Sequence, residues 1–136
     1  MPDVVAPDEL LARYIVSSRW VRKTDQTVKP DAYIPDDSLE LSVTRHLKLS
    51  ENEIWRIGKT IAANIPRNLH GRADVKTSYV TAQNLEVVAQ PLPGVNPNHA
   101  NITNWPSNKE DRKMCALEIA RAANFIANPD VTIELP

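Results

Sequence analysis

The sequence predicts an α+β fold: a mostly antiparallel sheet with two main helices, at about residues 50–64 and 108–127, packed on one face. Residues 39–44 alternate strictly between apolar and polar side chains, which is typical of a half-buried strand. Two later segments begin with a serine that is followed three residues on by a glutamate, a motif that starts helices. Connections of hairpin length favour antiparallel pairing, so we expect a single domain over residues 1–136.

The first elements are expected to be a helical turn and a strand. Asp8 is placed to cap one turn over residues 9–12, and residues 13–22 then have the β-branched and aromatic content of a strand. The polar residues 23–26 fit a hairpin loop, after which residues 27–28 return antiparallel.

The middle of the chain is expected to hold the clearest strand and the first helix. Residues 29–38 contain two prolines and are expected to be mostly irregular, with Ala32, Tyr33 and Ile34 turned inward. The alternating strand 39–44 follows. Behind the capping motif at Ser50, apolar residues recur at helical spacing as far as Pro66, which is expected to stop the helix.

The second half is expected to hold two strands, a short third strand, a second helix and a last strand. Between residues 73 and 89 one strand runs through Val75, Tyr79 and Val80, and a second runs through residues 85–89. Residues 99–103 again alternate between polar and apolar side chains, which predicts a short strand with one polar face. The helix behind the capping motif at Ser107 is expected to reach about residue 127, with residues 131–135 as a last strand.

Composition excludes several classes of function. The 16 Lys and Arg residues balance 17 Asp and Glu residues, so no overall basic field attracts nucleic acid or a membrane. Cys115 is the only cysteine, which excludes an internal disulfide and a thiolate cluster and fits a reducing cytoplasm. The three histidines lack the close spacing of a zinc site, and we expect no metal and no cofactor. The amino terminus has no export pattern and no stretch is long enough to span a bilayer, so we expect a cytoplasmic protein.

The stretch 91–102 is the strongest candidate for a site, because it places prolines, asparagines and a histidine between two apolar runs. The imidazole of His99 can act as acid or base near neutral pH, and Asn96, Asn98 and Asn101 can hydrogen-bond a ligand. The alternative is a turn whose asparagine side chains bond their own backbone, with His99 on a solvated face.

Two further basic groups can complete such a site. Arg45 and His46 end the alternating strand, and if they meet His99, two imidazoles and a guanidinium surround one anionic group, as a metal-independent ribonuclease requires. Arg13, with Arg19 and Ser17, can clamp a phosphate or carboxylate. The alternatives are solvated basic residues at a strand end and an arginine paired within the fold.

The chain resembles a group of small uncharacterised bacterial proteins. The shared features are a Leu-x-Arg strand at residues 11–13, a Pro-x-Ala-aromatic step at residues 30–33, a Leu-Ser-Val strand at residues 41–43 and an Asn-Pro-x-His-Ala segment at residues 96–100. The aromatic residue is Tyr33, where phenylalanine is expected. The resemblance implies a bacterial domain and brings no activity with it.

The sequence therefore leaves two hypotheses for function. The first is a bacterial binding or accessory protein that acts with a protein partner, in a defence or toxin–antitoxin operon. The second is a metal-independent ribonuclease or nucleotide-directed toxin that uses His99, His46 and an arginine. A small anionic ligand or RNA fits either hypothesis, and the oligomeric state is left open.

Overall fold

The computed structural model describes residues 4–65 and 68–129, and in them it shows a six-stranded antiparallel sheet with three α-helices. Two short 3₁₀ helices, Ser18–Trp20 and Pro30–Tyr33, lie between the first two strands. The α+β class and the antiparallel sheet are therefore confirmed. In chain order the elements are β1 (Leu10–Ile15), β2 (Leu41–Arg45), α1 (Glu51–Asn64), β3 (Gly71–Lys76), α2 (Thr77–Thr81), β4 (Glu86–Ala89), β5 (His99–Thr103), α3 (Lys109–Ala122) and β6 (Asn124–Ala127).

The sheet has the strand order β4-β5-β2-β1-β3-β6. β1 is a central strand that pairs with β3 along its whole length, from Leu10 to Ile15. On its other side β1 pairs with β2 at two positions only, Leu11 with Arg45 and Ala12 with Thr44. β1 and β2 therefore diverge over the second half of β1.

The two long helices cover opposite faces of the sheet, so the prediction that they share one face is wrong. Alternate residues of β1 contact different helices: Leu11 and Ile15 belong to the hydrophobic cluster that contains α3, whereas Ala12 and Tyr14 belong to the cluster that contains α1. Because successive side chains of a strand point to opposite faces, a strand that is buried on both faces requires a layer on each.

The helix predicted at residues 50–64 is confirmed as α1. Ser50 caps it by accepting a hydrogen bond from the backbone N–H of Glu53, and the Glu53 side chain returns a bond to the backbone of Ser50. The reciprocal pair satisfies two N–H groups that a helix start otherwise leaves without partners. Pro66, which was expected to stop the helix, lies outside the described residues.

The first strand begins earlier than predicted. Residues 10–12 are extended rather than helical, because they pair with β3, and residues 18–20 form a 3₁₀ helix in place of the predicted strand. The expected hairpin return is reduced to one antiparallel bridge, Val21 with Val28. Long-range pairing with a central strand therefore outweighs the local capping signal at Asp8.

Three boundaries in the second half also differ from the prediction. A strand was predicted through Tyr79 and Val80, but α2 begins at Thr77, whose backbone N–H and hydroxyl both donate to the carbonyl of Glu9. Asn108, not Ser107, caps α3. α3 ends at Ala122 rather than near residue 127, because Asn124–Ala127 pairs with the free edge of β3. The strand predicted at residues 131–135 lies outside the described residues.

Candidate functional site

A pocket of about 310 Å³ lies in the gap where β1 and β2 diverge. Most of its wall is apolar, and a few polar groups converge on it, which is the usual composition of a small-molecule site. α1 covers β1 and β3 but leaves the β2 and β5 part of the same sheet face to polar side chains. The lining residues are Arg13, Tyr14, Val16, Trp20, Ser42, Val43, Thr44, Ile61, Ile65, Asn96 and His99.

Arg13 is the cation of this pocket. Its Nε donates to the carbonyl oxygen of Ala32 at 2.8 Å, and its Nη1 donates to the carbonyl oxygen of Ser42 at 3.1 Å. The guanidinium also stacks over the Trp20 ring, 5.1 Å from its centroid. These contacts fix the side chain where the β1–β2 ladder is interrupted. No described carboxylate forms an ion pair with it, and no described residue accepts a bond from its Nη2.

His99 is held by hydrogen bonds at both ring nitrogens. Its Nδ1 lies 2.9 Å from the carbonyl oxygen of Gln90, and its Nε2 lies 3.0 Å from Oγ of Ser42. A carbonyl oxygen can only accept, so Nδ1 carries the proton. In the neutral ring Nε2 is then an acceptor, and the hydroxyl of Ser42 donates a hydrogen bond to it.

The Asn96 side chain connects the turn before β5 to the floor of the pocket. Its Nδ2 donates to the hydroxyl of Thr44 at 2.8 Å, and its Oδ1 accepts from the backbone N–H of Asn98 at 3.1 Å. Asn96 is 1% exposed, so its amide is largely committed to these structural bonds. Desolvation raises the pKa of the neighbouring Tyr14 to about 12, and its hydroxyl donates to the carbonyl oxygen of Ile54.

The other two predicted asparagines do not line the pocket. Asn98 uses its Nδ2 to hold the carbonyl oxygens of Arg45 and Leu47, which ties the end of β2 to the turn. Asn101 donates to the side-chain oxygen of Gln90 on the polar face of β5. In much of the turn, therefore, asparagine side chains bond the protein's own backbone, as the alternative to a ligand site predicted. His99 differs from that alternative, because it lines the pocket.

Arg45 and His46 lie outside the pocket, although the end of β2 does meet the His99 segment, because Thr44 pairs with His99. Arg45 is buried and forms a bidentate ion pair with Glu9, with its Nη2 2.7 Å from Oε1 of Glu9. His46 bonds Asp74 through Nε2 at 2.9 Å. Each of these basic side chains is therefore bound by an acidic residue: Arg45 by Glu9, just before β1, and His46 by Asp74, on β3.

The remaining predicted residues belong to the 3₁₀ helix after β1. Ser17 caps it by accepting a bond from the backbone N–H of Arg19. The Arg19 side chain is in the last turn of this helix, is exposed and does not line the pocket. Of the two arginines predicted to clamp an anion, the structure brings Arg13 to the pocket and leaves Arg19 outside it.

Ser42 is the pocket residue that sequence reasoning missed. The alternation of residues 39–44 placed Ser42 on the polar face of its strand, but no local signal identifies the cross-strand neighbour of that hydroxyl. The register fixes it: Thr44 pairs with His99 and Ser42 pairs with Asn101, so Ser42 lies diagonal to His99 on the same face. The signal therefore exists only once β2 and β5 are aligned.

Comparison with known proteins adds no relative: no protein-family model matches the chain, and neither a curated protein nor a solved structure matches it significantly. Over residues 4–65 and 68–129 there is no group of three or more His, Cys, Asp or Glu side chains placed to hold a metal ion. None of the helices in those ranges has the length and apolar character that crossing a bilayer requires.

Proposed function

We propose that the chain is a cytoplasmic binding protein, and that the pocket between β1 and β2 takes a small organic anion with an apolar part. Arg13 carries the proposal: it is a fixed guanidinium in a largely apolar pocket, and no described carboxylate forms an ion pair with it. Asp36 is a described acid whose charge acts on Arg13, but it does so without a bond. Arg13 is half-buried, and an arginine that is partly removed from water within a fold is normally paired with an acid. A ligand carboxylate or phosphate supplies the missing negative charge.

The electrostatics of Arg13 favour an anion. Burial lowers the pKa of Arg13 to about 10, and the side chain therefore stays charged at neutral pH while it has lost much of its hydration. A charge-assisted hydrogen bond formed in such surroundings is stronger than one formed in water. The apolar wall, which includes Trp20, Ile61 and Ile65, offers contact area for the rest of the ligand.

Two probe ligands test the proposal: benzoate, which has both an anionic and an apolar part, and inorganic phosphate, which has only the charge. We expect Arg13→Met to weaken benzoate binding about 10- to 100-fold, the usual loss for hydrogen bonds to a charged group. Calorimetric titration measures the affinity. In wild type we also expect benzoate to shift the indole N–H signal of Trp20 in an NMR titration.

Arg19→Met is the matched control, because Arg19 is close in sequence but its side chain lies outside the pocket. We expect this variant to bind benzoate as wild type does. Equal loss in both variants, or benzoate shifts confined to exposed lysines, contradicts the proposal. Phosphate binding without benzoate binding contradicts the apolar part of the ligand.

A protein partner is the second candidate function, as the sequence hypothesis of a defence or toxin–antitoxin component requires. Its support is the sheet edge at β4, where Val88, Leu92 and Val95 expose between 41% and 46% of their surface. Within the described residues one antiparallel bridge, Val4 with Val88, lies on the outer side of β4. A strand edge that is paired at one position and has apolar neighbours is suited to pairing with an extended segment of another protein. Light scattering of pull-down fractions tests it: recovery of wild type as a monomer without a partner contradicts it.

The ribonuclease hypothesis has less support from the geometry. It requires His99 and His46 to act on one group, but the Nε2 of His46 is bonded to Asp74 and His46 does not line the pocket with His99. The proposal therefore keeps His99 and Arg13 and does not use Arg45 and His46. Expression toxicity that is lost in His46→Ala, with the fold retained, favours the ribonuclease instead.

A further inference from the structure

We propose that Ser42 is a nucleophile and that His99 is its general base, so that the pocket accepts acyl groups from small activated esters. This inference rests on the proposed function only in that the same pocket holds the substrate. The pair was not identifiable from the sequence, because Ser42 and His99 are 57 residues apart. It follows from the alignment of β2 with β5.

The arrangement of the pair is the one that activates a serine. Oγ of Ser42 lies 3.0 Å from Nε2 of His99, within the range for proton transfer, and the opposite ring nitrogen is oriented by the carbonyl oxygen of Gln90 at 2.9 Å. The Gln90 carbonyl fixes the tautomer that leaves the lone pair of Nε2 facing the hydroxyl. In this respect it occupies the orienting position that a carboxylate holds in serine hydrolases.

The exposure of the two residues also suits their proposed roles, because a nucleophile must be reached by the substrate and a base must be held in place. Ser42 is exposed and lines the pocket, so an incoming carbonyl carbon can reach its hydroxyl. His99 is only 9% exposed, which shields the imidazole from bulk water and holds it in one orientation. The other serines with described side-chain bonds, Ser17, Ser38 and Ser50, bond to backbone groups or a carboxylate rather than to an imidazole.

Arg13 is the group that stabilises developing negative charge. Its Nη1 already holds the backbone carbonyl of Ser42, so the guanidinium lies beside the residue that carries the nucleophile. Its Nη2 is without a bond to a described residue, and Arg13 is one of the residues that line the same pocket. A donor fixed before the reaction is the main requirement for stabilising an oxyanion.

The reaction proceeds in two balanced steps. Oγ of Ser42 attacks the acyl carbon, the hydroxyl proton passes to Nε2 of His99, and the ester C–O bond breaks. An alkoxide leaving group takes that proton, whereas a phenolate leaves as the anion and the proton passes from Nε2 to water. Water then attacks the acyl-Ser42 ester, gives its proton to Nε2, and Ser42 regains a proton as the free acid leaves. No oxidant, metal or further reactant is needed, and the released acid is an anion of the kind that Arg13 would bind.

Acetylation by p-nitrophenyl acetate tests the inference. We expect wild type to release nitrophenolate in a burst and to gain one acetyl group, which peptide mass spectrometry locates on Ser42. Ser42→Ala should lose both the burst and that label. Ser78→Ala, which removes an exposed serine hydroxyl outside the pocket, should keep both. His99→Gln keeps a donor and an acceptor but no base, and should slow the burst about 10²-fold.

The inference does not depend on the folding of the His99 variant, because the site of acetylation in wild type decides it. Label on lysines or on Ser78, or an equal burst in Ser42→Ala, overturns it. Benzoate binding without acetylation of Ser42 overturns this inference and leaves the binding proposal standing. Acetylation of Ser42 that benzoate does not inhibit supports the nucleophile and overturns the binding proposal.

Discussion

Tyr33 is fully buried, and its hydroxyl has no hydrogen-bond partner among the described residues. Burial raises the pKa of this phenol, so the hydroxyl keeps its proton and its desolvation is uncompensated. We expect Tyr33→Phe to raise the free energy of unfolding by about 1 kcal/mol, because it removes a polar atom that gains no bond on folding. Urea denaturation of the two proteins measures the difference.

Tyr79→Phe is the control for this substitution, since Tyr79 is exposed and loses no burial cost with its hydroxyl. We expect a change within about 0.5 kcal/mol there. A Tyr33→Phe protein that is less stable than wild type would show that the hydroxyl has a partner in solution.

Part of the candidate site could be predicted from single residues. His99 and Arg13 could be identified as candidates from residue type alone, because an imidazole can act as acid or base and a guanidinium can bind an anion in any fold. Arg45 and His46 have the same chemistry, but Glu9 and Asp74 bind them in the fold. Which acid reaches which base depends on strand register, and residue type does not carry that information.

Gly71 is an element-scale constraint, because β3 and β6 approach each other closely there. A Cβ added at Gly71 would meet the carbonyl oxygen of Ile126 and would lie 2.7 Å from the Phe125 ring. The backbone must shift to admit it. We expect Gly71→Ala to lower the free energy of unfolding by about 2 kcal/mol, in the range for overpacking, as measured by guanidinium denaturation.

Gly94→Ala provides the comparison, since an added Cβ there meets nothing within 4 Å. Its φ of 80° lies in the left-handed region, so alanine costs about 1 kcal/mol from the backbone alone. Gly71→Ala should therefore be the more destabilised of the two. The reverse order would mean that β6 yields at little cost.

Helix α1 was predictable because its capping box and its apolar spacing are both local. The boundary between α3 and β6 was not, because Phe125 and Ile126 continue an apolar pattern that suits either helix or strand. The unpaired edge of β3 decides in favour of the strand. The faces that the helices cover were not predictable for a different reason: β1 has apolar residues on both faces, and the alternation within one strand does not show which helix lies on which face.

At the scale of the whole molecule, the ion pair between Glu9 and Arg45 joins the segment before β1 to the end of β2. The hydrogen bond from Arg45 lowers the pKa of Glu9 from its ordinary value of 4.5. A lowered pKa in the folded state stabilises the fold above the unfolded value, and that contribution is lost as the pH falls through the folded value. The pair should therefore stabilise the protein at neutral pH and fail in acid.

We expect Glu9→Gln to lower the free energy of unfolding by about 2 kcal/mol near pH 7, the range for hydrogen bonds to a charged group. The difference from wild type should shrink below pH 4.5, the ordinary pKa of Glu9. Denaturation curves over a pH series measure it. Glu118→Gln breaks the exposed pair with Arg121 and should change stability by less than about 1 kcal/mol. A pH-independent loss in Glu9→Gln would contradict the ionic origin.

Arg13 both joins the sheet where β1 leaves β2 and faces the pocket, which limits how this protein can evolve. A change at Arg13 removes two bonds to backbone carbonyls together with any ligand contact. Ile61 and Ile65 also line the pocket, and their apolar side chains form no hydrogen bonds that a substitution would break. They can therefore change size at lower structural cost. For the ligand proposed above, selection among descendants of this sequence would keep the anionic half fixed and vary the apolar half.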